Sequence, residues 1–144
     1  MTVKVVGHWE IGYKTPLMEH YIWSMMLRDF GVDEWWMWPV SGIVNNEQLT
    51  VPLIERETFV EILAEHPDFT RVYVEPLTEI TLPNFEHPAE NVLYIFGSAH
   101  RNPMIGNYDE TADLCVTIPT AMNAGTLWAD QACAIILYDR KLKS

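Results

Sequence analysis

Five short apolar runs, separated by segments of helical periodicity, constrain this chain more than any other feature. They are Val-Lys-Val-Val (3–6), Trp-Trp-Met-Trp (35–38), Val-Tyr-Val (72–74), Val-Leu-Tyr-Ile-Phe (92–96) and Leu-Cys-Val-Thr-Ile (114–118). The runs are β-branched or aromatic and mostly continuous, the pattern of strands covered on both faces. Between them, Met18, Tyr21, Ile22, Met25 and Met26 follow Pro16 at the i, i+3, i+4, i+7, i+8 spacing of a core-facing helix. Phe59, Ile62 and Leu63 repeat that spacing before Pro67 ends the segment, and Ala129, Ala132, Cys133, Ile136 and Leu137 repeat it again. Strands alternating with helices predict βαβ units: an α/β fold with a mainly parallel sheet and helices on both faces. No repeat, linker or low-complexity tract divides the chain, so residues 1–144 read as a single domain.

Composition narrows the function. At 144 residues and 49% hydrophobic, the chain is large enough to bury a core and too apolar for wholesale disorder. No stretch reaches the roughly 18–20 apolar residues of a membrane span, and the N-terminus turns polar too early for a signal peptide. A cytoplasmic protein with no membrane partner is expected. Cys115 and Cys133 lie in apolar runs without metal-type spacing and read as buried free thiols. The His-Pro pairs at His66 and His87 read as segment ends, so no metal is expected. Twenty acidic against nine basic residues give a net charge of −11, whereas nucleic-acid binders ordinarily present a basic face. An RNA partner would have to meet a local patch or a second subunit. The one basic concentration is Arg140, Lys141 and Lys143.

Two loops rich in small and polar residues, 97–106 and 119–125, directly follow the runs 92–96 and 114–118. Ligands of open α/β sheets bind outside the carboxyl ends of strands, so these loops mark the site. His100, Arg101 and Asn102 are its densest polar cluster: Arg101 offers a phosphate or hydroxyl contact, His100 a proton acceptor near neutral pH. The plain alternative is a solvated loop. Trp35, Trp36 and Trp38 either stack on bases or, more commonly for contiguous tryptophans in a strand, fill a core or dimer seam. His8, Trp9 and Glu10 either line the same cleft or form an ordinary loop. Arg28 falls off the helical stripe and reads as a surface residue.

The order of late motifs is similar to that of the SpoU branch of the SPOUT RNA methyltransferases. Val-Leu-Tyr-Ile-Phe-Gly-Ser (92–98) resembles that family's strand and glycine turn, and Asp-Leu-Cys-Val-Thr-Ile-Pro-Thr (113–120) its strand ending in Ile-Pro. Thr-Leu-Trp-Ala-Asp-Gln-Ala-Cys-Ala-Ile-Ile-Leu-Tyr (126–138) resembles the final helix, and Asp-Phe-Gly-Val (29–32) the end of the first. The resemblance implies a C-terminal trefoil knot, S-adenosylmethionine as cofactor, a homodimer, and methyl transfer to RNA (tRNA or rRNA), at a ribose 2′-hydroxyl. By position it implies cofactor contacts at Phe96, Gly97, Ile118, Pro119, Thr126 and Leu127. Arg101, His100 and Thr126 would be the catalytic group, and Arg101, Asn102 and Trp128 the substrate contacts, with Trp128 alternatively capping the cofactor or plugging the site.

This chain departs from the family where catalysis is usually carried. The Asn and Arg of the first helix correspond to Glu19 and Met25, the Glu-Gly after the glycine turn to Ala99 and His100, and the Asn of Ser-Leu-Asn to Trp128. The alternative reading is therefore a catalytically degenerate dimer that binds S-adenosylmethionine, or a partner, without methyl transfer.

Overall fold

A computed structural model describes residues 2–9, 16–40, 51–75, 80–97, 112–121 and 127–144. The strands are β1 (Val3–His8), β2 (Glu34–Trp38), β3 (Leu53–Glu55), β4 (Thr70–Val74), β5 (Val92–Ile95) and β6 (Leu114–Val116). The helices are α1 (Pro16–Asp29), α2 (Phe59–Ala64) and α3 (Ala129–Lys143). All six strands pair in parallel, in the order β3-β2-β1-β5-β4-β6. At the sheet centre Val5 of β1 lies opposite Trp35 on one side and Tyr94 on the other.

The continuous apolar runs are explained by burial on both faces. Val3, Val5, Trp35, Met37, Val72 and Tyr94 face a core closed by Trp23 and Leu27 of α1 and by Cys133, Ile136 and Leu137 of α3. Val6, Trp36, Tyr73, Leu93 and Ile95 face the other core, closed by Phe59, Ile62 and Leu63 of α2. Trp35 and Trp36 are thus divided between the two cores, as adjacent strand residues must be. The second core carries a polar seam at its edge. Lys4 Nζ sits 2.6 Å from Glu34 Oε1, which also accepts from Trp36 Nε1 at 3.0 Å. His66 donates Nδ1–H to Ile62 O at 2.7 Å and receives Lys4 Nζ at Nε2 at 3.2 Å.

Local chemistry fixes the ends of the elements. Gly31, at φ +70, closes α1: its N–H reaches Arg28 O at 3.0 Å and that of Val32 reaches Leu27 O at 3.0 Å. These are the paired bonds of a Schellman ending, which needs a left-handed residue at that glycine. α2 opens on a capping box, with Glu61 N–H on Thr58 Oγ1 and Thr58 N–H on Glu61 Oε2, both at 3.2 Å. Asp33 and Asp113 each tie the start of a strand to its neighbour. Asp33 Oδ2 accepts from Val3 N–H and its own N–H donates to Val3 O; Asp113 does the same with Arg71.

Three sequence expectations need correction or addition. On α1 four of the five stripe residues, Met18, Tyr21, Ile22 and Met25, face outward, with 55%, 49%, 43% and 40% exposure, while Met26 packs against the core; the buried positions are His20, Trp23, Ser24 and Leu27. The helix carries apolar residues on both sides, and stacking decides its phase: Trp23 lies on Trp35 at 5.6 Å and 13°. Cys115 is half-buried rather than buried, because it sits on edge strand β6; neither cysteine is in a disulfide. β3, a three-residue edge strand, has no counterpart among the five runs. Among the described residues, no helix is long and apolar enough to cross a membrane, and no group of three metal-type ligands exists.

Candidate functional site

Because the six described strands are all parallel, the residues after β1, β2, β5 and β6 emerge along one edge of the sheet. Trp9 N–H donates to Trp38 O at 2.7 Å there, and Phe96 N–H to Val6 O at 3.0 Å. At this edge Gly97 meets the start of α3. Both line a small cavity of about 10 Å³, together with Gly7 and His8 of β1, Glu19 and His20 of α1, Trp35 and Asp130.

The positions singled out in the sequence divide clearly. Phe96 is buried in the core with Tyr94 and does not line the cavity. Gly97 lines the cavity, and Leu127 and Trp128 directly precede the α3 residues that line it with Gly97. Trp128 is half exposed, and its N–H donates to Gln131 Oε1 at 3.0 Å, which opens α3. Ile118 packs against the core and Pro119 is exposed; neither lines the cavity. His8 and Trp9 do line it. His100, Arg101, Asn102 and Thr126 lie outside the described residues, as does Glu10. Arg28 is exposed beside Asp29 at 3.6 Å.

Glu19, His20, Trp35, Gly7 and Asp130 are site residues that periodicity misses. His20 stacks on Trp9 at 4.9 Å and borders Trp35 at 5.7 Å. The available signal was a second stripe on α1, His20-Trp23-Ser24-Leu27, whose polar members hid its role as the inward face. The charged groups of the lining are carboxylates and no Lys or Arg is among them, so the described part of the site favours neutral or donor-bearing ligand groups over phosphate.

A larger cavity, about 540 Å³, opens against α3 and the segment before β5, lined by Pro83, Phe85, His87, Arg140 and Lys143. Its polar groups are committed to the fold. Tyr94 O–H donates to His87 Nδ1 at 2.7 Å, and His87 Nε2–H donates to Asp139 Oδ2 at 2.7 Å. Arg140 donates to Tyr94 Oη and Pro88 O, and Lys143 to Asp139, Leu82 O and Phe85 O. Burial pushes Tyr94 up to about 12 and moves His87 downward despite its Asp139 partner. Asp139 is partly desolvated, yet hydrogen bonds from Lys143 and His87 hold its carboxyl below the usual range. The cluster buttresses α3; its cations have carbonyl and carboxylate partners already.

No family model and no curated relative matches the sequence. Solved structures match along nearly the whole chain. The SpoU methyltransferase AviRb from Streptomyces viridochromogenes, in complex with AdoMet, superposes with a TM-score of 0.77 at 16% identity, over 99% of this chain and 58% of its own. The A. aeolicus TrmH/SpoU tRNA modifying enzyme gives 0.74 at 17% identity, over 98% of this chain and 76% of its own. A structure concerned with 2-OH methylation of C/U34 on tRNA gives 0.74 at 16% identity, over 99% and 97%. The chain therefore has the SpoU/TrmH methyltransferase fold.

Proposed function

We propose, from that fold, that the protein is an S-adenosylmethionine-dependent RNA methyltransferase acting on a ribose 2′-hydroxyl of tRNA or rRNA. The observation that supports it most is convergence. The glycine turn after β5 and the start of α3, matched to the SpoU motifs by sequence, share one cavity at the carboxyl edge of a parallel sheet. AviRb binds AdoMet on the same fold. One lining residue fits the cofactor directly: Gly97 has no side chain to hold a ligand off the backbone, and Leu127, just before the lining residues of α3, is the nearer candidate for an apolar wall, whereas Ile118 packs against the core. When bound, S-adenosylmethionine supplies an activated methyl group. The chain's own contribution is positioning and exclusion of water. On this reading Arg101 and His100 bind and deprotonate the ribose hydroxyl, Thr126 orders the loop, and Asn102 and Trp128 hold the substrate. The proposal includes a single domain, a threaded C-terminal half, a homodimer and a cytoplasmic location.

One observation favours the second reading, a dimer that binds cofactor or partner without methyl transfer. Met25, at the position of the family's arginine, points outward, and the described cavity lining holds Glu19 and Asp130 but no cation. The two readings separate in one assay. Transfer of labelled methyl from S-adenosylmethionine to bulk tRNA or rRNA, at nucleotides that then resist alkaline cleavage, supports the enzyme. Cofactor binding without any transfer supports the degenerate dimer.

A further inference from the structure

The cavity beside Gly97 contains a polar group that the methyl-transfer reading does not use. Trp35 is fully buried, at 0% exposure, and its Nε1–H has no acceptor among the described residues. The ring is held by Trp23 stacked at 5.6 Å, so the N–H cannot swing toward solvent. A buried indole ordinarily finds a hydrogen-bond partner, and a desolvated donor left without one is destabilising. Space for a partner lies beside Gly7, where an added Cβ would stand 3.6 Å from Trp35 Nε1. The cavity holding Trp35, Gly7, His20 and Gly97 measures about 10 Å³. That is close to the volume of a single water-sized probe and far below that of a phosphate or carboxylate.

We infer that Trp35 Nε1–H and the gap at Gly7 form a site for one neutral oxygen acceptor, either a water molecule or a hydroxyl oxygen of a bound ribose. The charge of the lining selects neutrality. An indole donor does not serve a cation, and Glu19 and Asp130 around the same cavity disfavour an anion. A hydroxyl or water accepts from the indole and still has a proton of its own to donate. The hydroxyl source rests on the methyl-transfer reading; the water source does not.

Nuclear magnetic resonance on the ¹⁵N-labelled full chain tests the site, with the Trp35 indole resonance assigned by its loss in Trp35→Phe. The expected result in the free protein is a downfield, hydrogen-bonded indole proton with a cross-relaxation peak to water. In Gly7→Ala that peak should vanish and the proton should move upfield, with the circular dichroism unchanged. Millimolar cytidine and 2′-deoxycytidine then distinguish the sources. Displacement of the water peak by cytidine alone assigns the ribose hydroxyl; retention of the peak with both assigns a fixed water and leaves the methyl-transfer reading untouched. An upfield indole proton with no water contact and no response to cytidine overturns the inference. So does a water peak that persists in folded Gly7→Ala.

Discussion

Gly97 is the residue on which the cofactor reading turns, since backbone beside it can approach a ligand only if nothing projects. A larger side chain at such a point costs a few kcal/mol through clash or backbone shift, tenfold to a few hundredfold in affinity. Gly97→Val should therefore lose S-adenosylhomocysteine binding by that factor, while Arg101→Ala stays within a few fold and instead weakens RNA binding or turnover. Parallel titrations of the two variants check this. Gly31 separates backbone effects from contacts. Nothing lies within 4 Å of an added Cβ, so Gly31→Ala should cost only the left-handed strain, roughly 1–2 kcal/mol, read as a lower urea midpoint with an unchanged slope. The buried histidines set a pH dependence. Burial, the largest influence on each, lowers His66 and His87 below the ordinary 6.5, so the unfolded chain binds more protons there than the folded one. Their contribution is complete above about pH 6.5 and is lost as pH falls below it. Melting temperature should drop between pH 7.5 and 5.5, and the drop should shrink in a folded His87→Gln variant.

Among the elements, α1 raises the question of what covers its outer face. Met18, Tyr21, Ile22 and Met25 form a four-residue apolar stripe on a chain of net charge −11, and Tyr138 and Leu142 are exposed on α3. Apolar surface of this kind marks interaction sites, and a self-complementary patch gives a twofold dimer. Light scattering should give twice the 16.7 kDa chain mass, and Ile22→Glu should return the monomer without loss of helicity. A wild-type monomer at micromolar concentration contradicts the dimer. This helix is also where sequence reading misassigned a face. The outward stripe is the more apolar of the two by sequence, the inward one carrying His20 and Ser24, and only the stacking of Trp23 on Trp35 and of His20 on Trp9, contacts between distant segments, settles which one turns inward. The central strands were legible because burial on both faces leaves continuous apolar runs. β3 was not, since three residues at a sheet edge leave no run long enough to notice.

For the whole molecule, the sheet's parallel sense made one edge of the site legible. A glycine turn after an apolar strand names a ligand position before any coordinates exist, and Gly97 does line a cavity at that edge. His8 and Trp9, offered by the sequence as cleft residues, line it as well; Gly7, His20 and Trp35 were not legible as walls, because they come from β1, α1 and β2 and meet only when the sheet is assembled. These parts meet in the central claim of the proposed function, that the carboxyl edge of this sheet binds S-adenosylmethionine. Calorimetric titration of the folded chain with S-adenosylhomocysteine tests it most directly. Saturable binding at one site per chain, abolished or sharply weakened in Gly97→Val, is the expected result. Absence of any saturable heat with either S-adenosylhomocysteine or S-adenosylmethionine would contradict it.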